Sequence, residues 1–192
     1  MIKLFFGILL FITFSGHSQT LQYDIFSNET HIGDLKVVKA SSKDIVQIEV
    51  TSEVHVKLFI EINLTYKLNC TYKNNKLWYS SVTTFVNGKV HSTSKTEKVG
   101  NYYTIVKNGH SSKFMDDIDF SGALLYFEEP KGIKQIFSEF DNIYKPINSI
   151  GSHEYQIVNP KNDYLSEYQY QNGILKSTTN HHKLLTFTLK LK

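Results

Sequence analysis

Covalent catalysis needs a nucleophile with a base beside it, and this sequence holds few groups of that kind. Cys70 is the single cysteine, no cationic residue flanks it, and no Gly-x-Ser-x-Gly elbow occurs. It lies on an apolar stripe, so a buried structural thiol is expected, and a lone cysteine cannot form an intramolecular disulfide. The eight histidines are scattered. His181 and His182 are adjacent and would point to opposite faces of a strand, unlike the spaced ligands of a zinc site. Asp116, Asp117 and Asp119 lack the spacing, glycine and closing glutamate of a calcium loop and read as a solvated turn. Glu128 and Glu129 fall at the end of an expected helix, where negative charge opposes the helix dipole; pairing with Lys131 and Lys134 is the favoured account, and a functional role the other. No glycine-rich phosphate loop or dinucleotide fingerprint is present. These residues suggest neither a cofactor nor a metal, and a hydrolase is the third-ranked reading.

The aromatic residues offer a different chemistry. The chain carries 12 tyrosines and 13 phenylalanines, and a ring with a polar tip suits the wall of an apolar cavity. Candidate ligand-binding residues are Tyr66, Tyr72 and Tyr79 from a sheet face, with Leu125, Tyr126 and Phe127 from a separate insertion.

The elements that must position them show period-two alternation. From Val46 to Tyr72 the even positions are mainly apolar and the odd ones mainly polar. The run is too long for one ordinary strand. A two-residue hairpin would reverse the parity, so the chain must bend or turn through an odd-numbered loop, with Phe59 at the corner. Asn74-Asn75, Asn87-Gly88, Asn108-Gly109 and Asn172-Gly173 carry the residues that tolerate positive φ in type I′ hairpin turns. A turn at Asn74-Asn75 predicts Tyr72 opposite Leu77, Cys70 opposite Tyr79, Leu68 opposite Ser81, Tyr66 opposite Thr83 and Leu64 opposite Phe85. The stretch from Lys89 to Lys98 is polar on both faces, which predicts a solvated or edge strand.

One segment, residues 119–141, breaks the meander. Ser121 is placed to cap a short helix through Ala123 to Glu128, ended by Pro130 and Gly132. Ile133, Ile136, Phe137 and Phe140 have the spacing of a second, short amphipathic helix, although Phe137 to Phe140 would also suit a strand edge. The fold class is therefore mainly β: a strongly curved antiparallel sheet or half-open β-barrel of ten or so strands, with a short helical insertion at its mouth.

Met1-Ile2-Lys3, the apolar run Leu4 to Phe14 and the small or polar residues Ser15 to Ser18 have the layout of a secretory signal peptide. The apolar core is about half the roughly 20 residues that span a bilayer. The expected domains are 1–18 as signal peptide and 19–192 as one β domain, exported to a periplasm or secreted, with no membrane span after cleavage. All 21 basic residues are lysines, scattered among 18 acidic residues. Without arginine, the favoured bidentate reader of guanine and phosphate, nucleic acid is not an expected partner. The sequons at Asn28, Asn63 and Asn69 read as products of an Asn- and Thr-rich composition.

Tyr23-Asp24-Ile25 with Ile32-Gly33, the stretch Thr84-Phe85-Val86-Asn87-Gly88-Lys89, and Ser121-Gly122-Ala123-Leu124-Leu125-Tyr126-Phe127 running into Glu129-Pro130-Lys131-Gly132 carry a resemblance. Through them the chain resembles a family of uncharacterised exported bacterial proteins known as a domain of unknown function. More distantly it is similar to exported proteins whose curved sheet clasps a helix, the shape of periplasmic lipoprotein carriers. The resemblance implies fold and compartment and brings no catalytic residues.

The expected function is non-enzymatic binding of an apolar or amphiphilic ligand, a lipid or lipidated chain, between the sheet and the insertion. The alternative is an envelope assembly or protein-interaction module that pairs through a bare edge strand such as Lys89 to Lys98. Expressed from Met1 in a bacterial host, the chain is expected to be recovered starting at Gln19 by intact mass; recovery of the uncleaved chain would mark an anchor instead.

Overall fold

Alternating sequence becomes a ladder only where neighbouring strands can share a register, and here nearly the whole chain does so. The computed structural model describes residues 17–57, 61–183 and 185–192. Its strands are β1 (His17–Ser27), β2 (Thr30–Ser42), β3 (Ile45–Lys57), β4 (Glu61–Lys73), β5 (Lys76–Val86), β6 (Lys89–Val99), β7 (Tyr102–Lys107), β8 (His110–Phe114), β9 (Gln135–Ser138), β10 (Ile143–Gly151), β11 (Glu154–Val158), β12 (Leu165–Gln171), β13 (Ile174–His181) and β14 (Thr186–Leu191). They form a 14-stranded antiparallel sheet in the order β8-β7-β6-β5-β4-β3-β2-β1-β14-β13-β12-β11-β10-β9. The first and last strands of the chain pair at its middle, Tyr23 opposite Leu191 and Ile25 opposite Leu189. Residues 1–16 of the expected signal peptide 1–18 and the corner at Phe59 lie outside the described residues. The expected cleavage point before Gln19 falls two residues into β1. Among the described residues no helix is long and apolar enough to cross a membrane.

The turn chemistry follows the asparagines. Asn74-Asn75, Asn87-Gly88, Asn108-Gly109 and Asn172-Gly173 each have positive φ at both residues and close two-residue hairpins, the geometry whose twist matches the flanking strands. Between β3 and β4 the last pair is Lys57 with Glu61. That odd, three-residue connection preserves parity from Val46 to Tyr72.

The expected register beyond Asn74-Asn75 is wrong by one residue. Tyr72 does face Leu77, but a bulge between Thr71 and Tyr72 then sets Cys70 opposite Ser80, Leu68 opposite Val82, Tyr66 opposite Thr84 and Leu64 opposite Val86. A bulge inserts one unmatched residue and so flips every side chain beyond it. Ser80, Val82 and Thr84 turn inward and are buried, while Tyr79 turns to the outer face beneath Lys95, whose Nζ lies 5.5 Å from the ring centroid.

The helical insertion is also corrected. Only Gly122–Tyr126 is helical, as a single 3₁₀ turn, and Ser121 makes no side-chain cap to it. The expected second helix is strand β9, pairing with β10 through Phe137 opposite Tyr144. Ile136 and Phe137 are both buried although they are neighbours on a strand. Ile136 lines the interior cavity and Phe137 packs on Phe114 and Tyr144, and two-sided burial gives an apolar run that helical spacing also fits.

The strand from Lys89 to Lys98 is not the sheet's edge, since β7 pairs with Ser94 to Val99. Lys89 to Ser92 lack such an outer ladder partner among the described residues, and Val90 is exposed. Polarity on the inner face has a specific cause: Ser94 and Thr96 are buried and bond Asn142 across the gap between the sheet's two ends. Ser94 Oγ donates to Asn142 Oδ1 at 2.8 Å, and Asn142 Nδ2 donates to Thr96 Oγ1 at 3.3 Å. Phe114 of β8 meets Phe137 and Tyr144 with ring centroids 5.5 and 5.6 Å apart. The barrel is thus held at a side-chain seam, with no ladder joining its ends.

Gly33 shows how tightly the curve is wound. A Cβ there would lie 2.1 Å from the backbone oxygen of Glu53, so a side chain would force β2 and β3 apart.

The acidic turn pins the seam from outside. Asp117 pairs with Lys76 and, at 2.5 Å, with Lys98, and its backbone oxygen accepts from Tyr144 Oη at 2.5 Å. Hydrogen bonds from Lys76 and Lys98 hold its carboxyl down at about 2. A depressed carboxyl stabilises the fold above its ordinary value near 3.8 and loses that contribution as pH falls toward 2. The stability difference between the native chain and Asp117→Asn, from urea melts, is expected to be constant above about pH 4 and to vanish between there and about pH 2.

Candidate functional site

The apolar stripe of β3 and β4 serves two environments. Ile48, Val50, Cys70 and Tyr72 are buried in the core together with Leu77 and the 3₁₀ turn. Further along the same strands, Ser52, Val54, Val56, Ile62, Leu64 and Tyr66 line a cavity of about 560 Å³. Its opposite wall comes from Leu175, Phe187 and Leu189, and Gly122, Leu125 and Tyr126 form its floor. Ile32, Val56, Ile62 and Leu185 sit beside chain connections at the far end and form the rim. The insertion plugs one end of the barrel and leaves the other hollow.

Beside the apolar chamber lies a smaller polar one of about 320 Å³, reached past Ser138, Phe140, Lys145, Ser166, Tyr168 and Asn180 and lined further by Asp141, Asn159, Tyr164 and His182. Lys145 Nζ lies 2.5 Å from Asp141 Oδ2. Burial opposes the charge on Asp141, but the lysines around it hold its carboxyl below its ordinary value. Burial lowers His182, whose ring stacks on Phe187 at 5.6 Å.

The floor is built around Glu139, which is 3% exposed. Its Oε1 accepts from Ser121 Oγ at 2.6 Å, Ala123 N at 3.0 Å and Cys70 Sγ at 3.5 Å. Tyr72 Oη lies 2.5 Å from Ser121 Oγ. The serine proton is committed to the glutamate, so tyrosine donates to serine. On the other side of the turn, Tyr170 Oη donates to Leu125 O at 2.9 Å. Burial, with Glu139 adding to it, pushes the Cys70 thiol well above its ordinary value, which suits a packed hydrogen-bond donor and not a nucleophile.

Of the six residues proposed from sequence, Tyr66, Leu125 and Tyr126 line the cavity. Tyr72 lies beneath the floor in the Glu139 network, Phe127 is buried under Lys39, whose Nζ is 5.4 Å from its ring centroid, and Tyr79 is outside. Burial raises Tyr66 and Tyr126 well above the ordinary phenol value, and Tyr168, also in the wall, to about 12. The sequence reading did not pick out Glu139 or Lys145; a single acid after an apolar strand carries no spacing signal.

Glu128 and Glu129 are explained by contacts. Glu128 pairs with Lys39 at 3.1 Å, and Glu129 pairs with Lys131 and His153 and accepts from Tyr155 Oη at 2.9 Å. Lys134, the other expected partner, is not among these. Asp24, His31 and Asp34 converge closely enough to suggest a cation site, but the Lys192 ammonium already sits 2.9 and 2.7 Å from the two aspartates.

A curved, incompletely closed β-barrel around an apolar cavity is the class that this geometry defines. Residues 23–192 match the model of the family described as Domain of unknown function (DUF6134), and the chain belongs to that family. Among solved structures it is similar to a beta-barrel-like protein of Domain of Unknown Function DUF1849 from Brucella abortus, at 10% identity and a TM-score of 0.58 over 90% of this chain and 95% of that one. At such identity the likeness is one of fold. No sequence among curated proteins matches.

Ser121→Ala would leave the buried Tyr72 hydroxyl without its acceptor and Glu139 without one donor. A loss of about 1–3 kcal/mol is expected in urea unfolding. Because the two groups form one relay, Tyr72→Phe added to Ser121→Ala is expected to cost clearly less than Tyr72→Phe alone.

Proposed function

We propose that this chain is an exported, non-enzymatic binding protein that carries one apolar or amphiphilic molecule inside its half-open barrel. The carrying observation is the cavity. Its volume of about 560 Å³ falls within the roughly 300–1,000 Å³ typical of small-molecule sites, too small for a folded partner and ample for a single hydrocarbon chain. Val54, Val56, Ile62 and Leu64 would line that chain with apolar surface, where a water-filled space of the same shape would leave them wetted. Export is supported by the charged start, the apolar run and the small residues that follow in the sequence.

Ser52 is the small side chain of the cavity's β3 wall, so Ser52→Phe should fill space without disturbing the seam. Native mass spectrometry of the chain purified from its own host is expected to show a stoichiometric lipid-like adduct, and titration with a naphthylamine dye to give saturable fluorescence. Ser52→Phe should lose the adduct and weaken dye binding by about tenfold while melting normally. Bare protein that also takes up no dye would end the carrier reading.

A further inference from the structure

The cavity floor holds an oxygen that the fold itself does not use. Glu139 is almost wholly buried, and the three hydrogen bonds its carboxyl accepts all fall on Oε1. Oε2 has no donor within hydrogen-bond distance among the described residues. It lies over Gly122, where an added Cβ would come within 2.8 Å of it, and Gly122 and Glu139 both line the cavity. The hydroxyls of Tyr66 and Tyr126, which line the same space, likewise have no hydrogen-bond partner among the described residues. None of the three is among the fully sealed unpartnered atoms of the described residues, which are Thr84 Oγ1 and Thr178 Oγ1, so an occupant that closes the cavity must pair them or bear the cost of leaving them unmatched. A core built only to be filled would have an apolar side chain here, and the three donors on Oε1 would be served as well by a neutral oxygen.

The geometry points to Glu139 Oε2 as the recognition point for a hydrogen-bond donor on the ligand: the cargo is a long-chain alcohol or amine type of amphiphile, bound with its donor group at the floor and its hydrocarbon tail running toward the rim. This rests on the cavity being a ligand site. A hydroxyl or ammonium reaching the floor meets Oε2, with the two tyrosine hydroxyls beside it to satisfy its remaining lone pairs or protons. A plain hydrocarbon would seal Oε2 away from water with nothing to pair it. A fatty-acid carboxylate would set acceptor against acceptor. Lys145, the cation of the same cavity, is engaged by Asp141 and so is not a free anion site.

The test is competition against the naphthylamine dye on delipidated full chain, using hexadecylamine, hexadecanol, hexadecane and hexadecanoate below their aggregation limits. The amine and the alcohol are expected to displace the dye about tenfold more tightly than the alkane or the acid. Glu139→Gln keeps the acceptor that Ser121, Ala123 and Cys70 need and turns an amide donor toward the cavity. It is expected to abolish the preference for the amine and to improve the acid. Gly122→Ala, which crowds Oε2, should narrow the gap in affinity between the amine or alcohol and the alkane. Should Glu139→Gln fail to fold, the ranking in the native chain still decides. Equal affinity for all four ligands, or a preference for the acid, overturns the assignment to Glu139 and leaves carriage standing. If neither the dye nor any of the four binds, carriage and the floor assignment fail together.

Discussion

Ser94, Thr96 and Asn142 meet across the gap between the two ends of the sheet, and most of what is distinctive in this molecule depends on that gap being held without a ladder. A barrel closed by backbone pairing fixes its own radius. This one has no direct ladder between its end strands among the described residues: the segment 118–121 bonds through its backbone to Leu77 and to Phe137, and side chains add the asparagine hydrogen bonds, the Phe114, Phe137 and Tyr144 rings, and the lysines that grip Asp117. Lys107 adds a further tie, donating to Phe140 O at 2.6 Å. The sheet can therefore wrap around an insertion that would not fit inside a smaller closed barrel.

The insertion then decides which part of the interior is packed and which is hollow. It is only one 3₁₀ turn long, so it covers the lower half of the β3 and β4 stripe and ends. Tyr72 and Tyr170 tie it from below and from the side, while Glu139 gathers Ser121, Ala123 and Cys70 around one oxygen. Above it the same alternating strands continue with an open cavity before them among the described residues. A hollow lined by valine, isoleucine and leucine is the direct result of a stripe longer than its plug.

Thr84 Oγ1 and Thr178 Oγ1 are sealed in the interior without partners; the polar groups around the insertion fall into two sets. Those beneath the floor satisfy one another and serve the fold. Those at the floor's upper surface, Glu139 Oε2 and the hydroxyls of Tyr66 and Tyr126, face the cavity without protein partners. Because unpaired polar groups are rare inside folded proteins, this asymmetry within a single carboxylate is the most informative feature of the site. The adjoining chamber around Asp141 and Lys145 is polar but internally matched, which makes it a passage wall more than a recognition point.

Much of the fold was legible because it is local. Period-two alternation located the strands, Asn-Asn and Asn-Gly pairs placed four hairpins, and unbroken parity from Val46 to Tyr72 required the odd connection that is found. Tyr66, Leu125 and Tyr126 were legible as cavity residues because each belongs to an apolar run in an element whose position could be argued. What local pattern could not supply was the bulge at Thr71 and Tyr72, which carried Tyr79 to the outside, since one unmatched residue leaves no mark on composition. Nor could it separate a twice-buried strand from an amphipathic helix at Ile136 and Phe137. The sequence by itself determined a curved antiparallel sheet with an apolar inner face, because alternation and turn chemistry act over a few residues. Only the tertiary structure decided that the sheet stays unclosed, that its plug stops short, and that Glu139 stands at the floor of the space left over, because these depend on contacts between residues that the chain brings together from far apart.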